Sequence, residues 1–224
     1  SLAPSLGNSL AKMTNREANE LFDRYEFGLS VITTFAFTCG ALLITPFVQV
    51  YTRGITDADY YQPIFGYLMM AAEAVYCFRD PYVSVAYVSG KYKETAKYAY
   101  IEAVLNIVIS IVLVSRLGLV GVAVGTLVAM TYRMVSHIWY LNCHLIQRQV
   151  HKSLKCLAVF ALISVGSSLI VNRFVNMQAV GYLDWVIRAI TISTIVFFVM
   201  ITVLFVSYRK QLRFFLNKIV YKAK

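Results

Sequence analysis

The segment from Phe27 to Tyr51 carries no charged side chain. It runs for about 25 residues, and a helix of this length rises roughly 37 Å, more than the hydrocarbon core of a bilayer requires. This segment therefore predicts a membrane-spanning helix. The composition agrees, because 59% of the 224 residues are hydrophobic and only 14% are charged, which is too apolar for a soluble domain.

Five further apolar segments are long enough to cross a membrane with some tilt. The six predicted spans are residues 27–51, 62–89, 95–115, 119–141, 154–171 and 185–207. The predicted fold class is an all-α, polytopic transmembrane helical bundle of about six spans. Gly121 and Gly125 have the GxxxG spacing that lets helix backbones approach closely, so we expect the fourth span to pack tightly against a neighbour.

The distribution of lysine and arginine predicts the orientation of the spans. With a cytoplasmic amino terminus, fifteen basic residues fall in inner segments and three in outer connections, as the positive-inside rule requires. The inner residues are Lys12, Arg16, Arg24, Lys91, Lys93, Lys97, Arg148, Lys152, Lys155, Arg209, Lys210, Arg213, Lys218, Lys222 and Lys224, and the outer ones are Arg53, Arg116 and Arg173. Both ends are therefore predicted to be cytoplasmic.

The net charge of +10 follows from this topology and requires no nucleic-acid partner. Residues 208–224 interleave basic and apolar side chains, which predicts a basic cytoplasmic tail that lies on anionic membrane lipids. The chain begins without an initiating Met or the pattern of a signal peptide, which favours a truncated amino terminus.

A polar stripe runs along the second span. In a helix, side chains three and four residues apart share a face, and the stripe consists of Glu73, Tyr76, Asp80, Ser84, Tyr87 and Lys91. Arg79 lies next to Asp80, near the predicted bilayer centre. Neighbouring side chains on a helix diverge by about 100 degrees, so Arg79 and Asp80 do not simply neutralise each other.

Two interpretations of these charges remain open. If they hold helices together, Asp80 and Glu73 pair with Arg133 or His137 of the fourth span, and Arg79 caps a backbone carbonyl. If they line a water-filled cavity, Arg79 meets an anionic substrate such as a phosphate. The candidate cavity residues are then Glu73, Tyr76, Arg79, Asp80 and Arg133.

Other polar residues in the spans are candidates for interhelical hydrogen bonds or ion coupling: Glu102, Asn106 and His137. His137, His144 and His151 recur every seven residues, a spacing that could suggest metal, but the last two fall in a predicted cytoplasmic loop and no carboxylate joins them. A metal site is therefore not predicted. The four cysteines form no CxxC pair, which argues against a disulfide framework or a zinc site. No cofactor is predicted.

Residues 87–133, YVSGKYKETAKYAYIEAVLNIVISIVLVSRLGLVGVAVGTLVAMTYR, combine several features. These are a Gly-Lys-Tyr-Lys-x-Thr loop, the Glu102 and Asn106 pair, a short turn before Gly118, and a Gly-x-x-Gly-x-x-x-Gly-Thr run that closes with Arg133. On these features the chain resembles the carboxy-terminal half of the polysaccharide repeat-unit flippases. These are the Wzx-type members of the multidrug/oligosaccharidyl-lipid/polysaccharide exporter superfamily. The earlier segment PSLGNSLAKMTNREANELF is similar to a cytoplasmic segment of that family.

The resemblance implies a two-lobed transporter in a bacterial cytoplasmic membrane. Such a transporter moves an undecaprenyl-diphosphate-linked oligosaccharide to the outer leaflet by alternating access. This chain would then supply part of the carboxy-terminal lobe, with an amino-terminal lobe of the same protein as its partner. Family members have a cationic central cavity, to which Arg79 and Arg133 would contribute here, whereas Glu73 and Asp80 depart from a purely cationic lining.

Two other functions remain open. A multidrug or cation antiporter of the same superfamily would use Glu73, Asp80 and the ring of Tyr76 as a cation site. A membrane-embedded polysaccharide polymerase would need a large extracytoplasmic loop that carries catalytic groups. The predicted outer connections are short, so an enzyme is not the expectation.

Overall fold

The computed structural model describes residues 15–175, 181–209 and 211. These residues form a bundle of helices without strands, which confirms the predicted all-α fold. The helices are α1 (Asn15–Tyr51), α2 (Pro63–Val88), α3 (Tyr92–Leu117), α4 (Leu119–Tyr140), α5 (Val150–Phe174) and α6 (Tyr182–Ser207). Residues 208–224, the predicted basic tail, lie outside the described residues apart from 208, 209 and 211.

Five of these helices are long and apolar enough to cross a membrane, so the chain has the character of a multi-pass membrane protein. The exception is α2. It is 26 residues long, but Glu73, Arg79 and Asp80 lie in its middle turns and it is not among the five. α2 packs between α1 and α4, and its crossing of the membrane stays a prediction.

The connection between α3 and α4 is a single residue, Gly118, whose φ of +56° is accessible to glycine. The two helices then pack closely, as the GxxxG spacing predicted. A Cβ atom at Gly121 would lie 2.6 Å from the backbone of Leu113, a distance that no side chain tolerates. α3 contacts mainly α4, and its outer surface is apolar and exposed.

α1 forms the centre of the bundle. Its first turns pack with α2, α4 and the loop after α4 around Phe22, Tyr82 and Ile138. Its middle and last turns pack with α5 and α6 around Phe160 and Val196. α1 therefore joins the α2–α3–α4 group to the α5–α6 pair.

The loop between α4 and α5 lies where α1 begins, α2 ends and α3 begins; we call this end of the bundle the basic end. α4 continues into a π-helical turn, Leu141–Leu145, and the chain then reverses at Gln147, which has a φ of +48°. A positive φ is uncommon for a residue other than glycine. This loop carries Arg148 into the interior of the bundle.

Candidate functional site

The guanidinium of Arg79 lies between α2 and the helices α3 and α4. Arg79 is 4% exposed, and its Nη1 donates a hydrogen bond of 3.0 Å to Oε1 of Glu102 on α3. The ring of Tyr76 lies 4.7 Å from Cζ of Arg79, within the range of a cation–π contact. The buried charge of Arg79 therefore has an anionic and an aromatic neighbour.

Glu102 contacts a second guanidinium through its other oxygen. Nη1 of Arg133, on α4, lies 2.5 Å from Oε2 of Glu102. We call Arg79, Glu102 and Arg133 the charged cluster. It contains two positive groups and one negative group, so it carries a formal charge of +1. The cluster lies about 10 to 15 Å from the basic end, counted along each helix.

This pairing differs from the one considered for charges that only hold helices together. In that interpretation Glu73 and Asp80 would contact Arg133 or His137, but Arg133 pairs with Glu102 instead. The cause is the divergence of neighbouring side chains on a helix, which directs Arg79 into the bundle and Asp80 to its surface. In the same interpretation Arg79 would cap a backbone carbonyl, whereas in the structure it pairs with the carboxylate of Glu102.

His137 lies one turn beyond Arg133 and is 2% exposed. Its Nδ1 lies 2.9 Å from the carbonyl oxygen of Arg133 in its own helix. Its ring packs edge-on against Tyr98, with the ring centroids 5.4 Å apart. These contacts are those of a packed core side chain.

Asn106 lies one turn from Glu102 on α3. Its Oδ1 accepts hydrogen bonds from Ser110 at 3.1 Å and from Thr126 of α4 at 3.4 Å. Glu102 thus joins α3 to both α2 and α4, and Asn106 joins α3 to α4. These contacts confirm the predicted interhelical hydrogen bonding of the two residues. A role for either residue in ion coupling stays a prediction.

Four of the six residues of the polar stripe are exposed on the described bundle, whereas Ser84 and Lys91 are half-buried. Tyr76 and Tyr87 are about half exposed, and Glu73 and Asp80 are also exposed. The hydroxyl of Tyr25 on α1 lies 3.5 Å from Oδ2 of Asp80. The stripe therefore forms one polar face, as the helical spacing predicted. Ionisable groups of this kind are unstable against hydrocarbon.

A groove lies between α2 and α3, which barely touch, and α4 closes its floor. Its volume is about 570 Å³, and it is lined by Tyr87, Tyr92, Ala96, Ala99, Tyr100 and Arg133. The groove starts at the basic end and reaches the charged cluster at Arg133. Because Tyr87 belongs both to the groove and to the stripe of α2, the two form one continuous surface.

Sequence reasoning missed a second buried polar cluster at the basic end. Arg148 pairs with Glu26 at 2.6 Å and with Asp23 at 2.7 Å, and Glu26 also accepts a hydrogen bond from the hydroxyl of Tyr82. Burial lowers the pKa of Arg148, but the carboxylates of Glu26 and Asp23 outweigh it and raise that pKa. From the sequence, Arg148 was counted only as one of the inner basic residues. Its neighbour Gln147 has a positive φ, a conformation that the sequence does not indicate.

In the part of the chain that the structure describes, no three His, Cys, Asp or Glu side chains lie close enough to hold a metal ion. The four cysteines are free. The charged cluster and its groove are the candidate functional site, because two guanidiniums and a carboxylate lie between the helices and the groove reaches Arg133.

The fold and the charged cluster define a multi-pass α-helical membrane protein with ionisable groups buried between its helices. No protein-family model matches the chain, and no curated protein matches it.

Proposed function

We propose that this chain is part of a transporter that flips an undecaprenyl-diphosphate-linked oligosaccharide across a bacterial cytoplasmic membrane. One observation carries the proposal: the charged cluster has two guanidiniums for one carboxylate, and the groove opens onto one of those guanidiniums. A charge placed at mid-membrane costs roughly 2.5 to 3.5 kcal/mol on insertion scales. The excess positive charge is therefore a feature that a bound anion would stabilise.

A diphosphate head group has the chemistry that this cluster favours. Guanidinium groups bind phosphate oxygens through paired hydrogen bonds, and these are stronger where water is excluded. Tyrosine side chains in the groove offer hydroxyl donors and ring faces to a sugar. The prenyl chain of such a lipid would remain in hydrocarbon beside the bundle while its head group occupied the groove.

The sequence features of residues 87–133 support the same proposal. The groove, Glu102 and Arg133 all lie within that segment or next to it. In the proposed orientation the basic end faces the cytoplasm, where the lipid-linked oligosaccharide would enter. The partner in this proposal is an amino-terminal lobe of the same protein, which would cover the polar stripe and leave a cavity at the membrane midplane.

One observation favours a second candidate, a multidrug or cation antiporter. Glu73 and Asp80 are exposed on α2, and Tyr76 presents a half-exposed ring on the same face. Carboxylates and an aromatic ring are a suitable environment for an organic cation. In this candidate the acidic face of α2, rather than the charged cluster, would bind the substrate.

Transport assays with the full-length protein in proteoliposomes distinguish the two. We expect Arg133→Gln to lower the flipping rate of a fluorescent undecaprenyl-diphosphate oligosaccharide by about tenfold or more, because it removes a charge-assisted contact to phosphate. Arg116→Gln is the matched control, since Arg116 is exposed in the last turn of α3. Size-exclusion chromatography in detergent verifies that both variants fold.

Undiminished flipping in Arg133→Gln would contradict the proposed site. Glu73→Gln and Asp80→Asn test the second candidate. If either abolishes efflux of an organic cation while no lipid-linked glycan is flipped by the unaltered protein, the antiporter replaces the flippase as the proposed function.

A further inference from the structure

Glu102 occupies a position between two guanidiniums. Its oxygen Oε1 accepts a hydrogen bond from Arg79, and its oxygen Oε2 accepts one from Arg133. Arg79 is buried, with 5% of its side chain exposed, whereas 18% of the Arg133 side chain is exposed. The two ion pairs are therefore unequal: one is enclosed, and the other borders the groove.

Arg133 has one buried N–H donor, Nε, that the described residues leave unpaired. Nη1 donates to Glu102, but Nε is buried and has no hydrogen-bond acceptor among the described residues. A guanidinium carries five N–H groups in a fixed planar fork that matches two oxygens of one anion. A buried donor without an acceptor is unfavourable. Arg133 is thus incompletely paired in the charged cluster, and its side chain, which is 18% exposed, borders the groove.

The groove can deliver such an acceptor. Its volume of about 570 Å³ lies within the usual range of small-molecule sites, and Arg133 is the charged residue of its lining. The tyrosines at positions 87, 92 and 100 line the remainder. Among the described residues, the carboxylate in contact with Arg133 is that of Glu102. An anionic group in the groove would therefore compete with Glu102 for this guanidinium.

We infer that Glu102 is an internal competitor for the anionic head group. Building on the proposed function, the diphosphate of a polyprenyl lipid displaces the Glu102 carboxylate from Arg133, while Glu102 keeps its ion pair with the enclosed Arg79. No covalent bond changes in this exchange. Each departure of the lipid restores the Glu102–Arg133 pair, so the carboxylate assists release of a ligand that Arg133 would hold too tightly without this competitor.

The test is equilibrium binding of a polyprenyl diphosphate to the full-length protein in detergent micelles. We expect Glu102→Gln to bind this lipid about tenfold more tightly, because it removes a charged competitor for Arg133 and keeps the shape of the side chain. The double variant Glu102→Gln with Arg133→Gln should lose this gain. If Glu102 had a purely structural role, the gain in affinity of Glu102→Gln would not depend on the presence of Arg133.

Glu20→Gln is the matched control. It removes one negative charge from an exposed side chain of α1 that pairs with Arg16, and Glu20 does not line the groove. We expect the affinity of this variant for the lipid to change by less than about threefold, as for a charge at a solvated site. Equal gains in affinity in Glu20→Gln and Glu102→Gln would indicate general electrostatics and overturn the competition.

Further outcomes separate this inference from the proposed function. If the unaltered protein binds the lipid but Glu102→Gln binds it no more tightly, the competition is wrong and the flippase proposal stands. If neither protein binds a polyprenyl diphosphate, the flippase proposal fails as well. Inorganic diphosphate is the second probe: binding as strong as that of the lipid, with the same gain in Glu102→Gln, would show that the site takes free phosphate and would contradict a lipid head group.

Discussion

Among single side chains, Arg148 is one of the most deeply buried charges. Only 3% of its side chain is exposed, and it contacts Glu26, whose side chain is 5% exposed. Replacement of one partner of such a pair leaves the other charge buried without compensation. We expect Arg148→Met to lower the free energy of unfolding by about 3 kcal/mol, measured by chemical unfolding in mixed micelles.

Arg16→Met is the control for that prediction. Arg16 pairs with Glu20 one turn away on α1, and its side chain is 90% exposed. Because solvent screens such a pair, we expect Arg16→Met to change the free energy of unfolding by no more than about 0.5 kcal/mol. Similar losses in the two variants would contradict the assignment of Arg148 as a buried anchor of the α4–α5 loop.

The charged residues also show what the sequence can and cannot predict. Helical spacing correctly separated Arg79 from Asp80 and placed Asp80 on a polar face. It did not identify Glu102 as the partner of Arg79, because that contact depends on which face of α3 turns toward α2. The ion pair of Arg148 with Glu26 spans 122 positions in the chain, and no local pattern reports a contact of that separation.

At the level of helices, the close packing of α3 on α4 depends on glycine. A Cβ atom at Gly121 would meet the carbonyl carbon and oxygen of Leu113 at 2.6 Å, and backbone atoms cannot move aside as a flexible side chain does. We expect Gly121→Ala to destabilise the protein by about 1 to 3 kcal/mol, the usual range for overpacking. Thermal unfolding in detergent measures the change.

Gly166 on α5 provides the matched substitution. Nothing lies within 4 Å of a Cβ atom built there, and alanine favours a helix over glycine by up to about 1 kcal/mol. Gly166→Ala should therefore be neutral or slightly stabilising. A loss of stability in Gly166→Ala equal to that in Gly121→Ala would mean that close approach of α3 and α4 is not the cause.

The predicted spans agree with the helices to within a few residues at most ends, because apolar length and Pro or Gly at the boundaries are local signals. Residues 62–89 correspond to Pro63–Val88, and 119–141 to Leu119–Tyr140. The start of α1 differs most: its helix begins at Asn15, well before Phe27. The first turns of α1 are too polar to be predicted as part of a membrane span. They are nevertheless helical, and Phe22 in these turns is buried against α2 and α4.

For the protein in its membrane, the polar stripe and the groove form a single surface that stands apart from the apolar faces of α3. Exposed apolar residues such as Ile107 and Ile111 suit contact with lipid chains, whereas Glu73 and Asp80 on α2 do not. A surface that joins acidic, aromatic and guanidinium groups needs water or another protein segment against it. This contrast gives a direct test of which side of the bundle faces an aqueous cavity.

Thiol labelling makes that test. In a full-length protein whose native cysteines are replaced, we expect Glu73→Cys, Asp80→Cys and Tyr87→Cys to react with a membrane-impermeant maleimide, because an aqueous cavity hydrates that face. Ile107→Cys and Ile111→Cys should stay unreactive in lipid. A polyprenyl-diphosphate glycan should lower the labelling rate at Tyr87→Cys, which borders the groove. If the α2 positions react as slowly as those on α3, the stripe is dry, and the charged cluster holds helices together without forming part of a transport pathway.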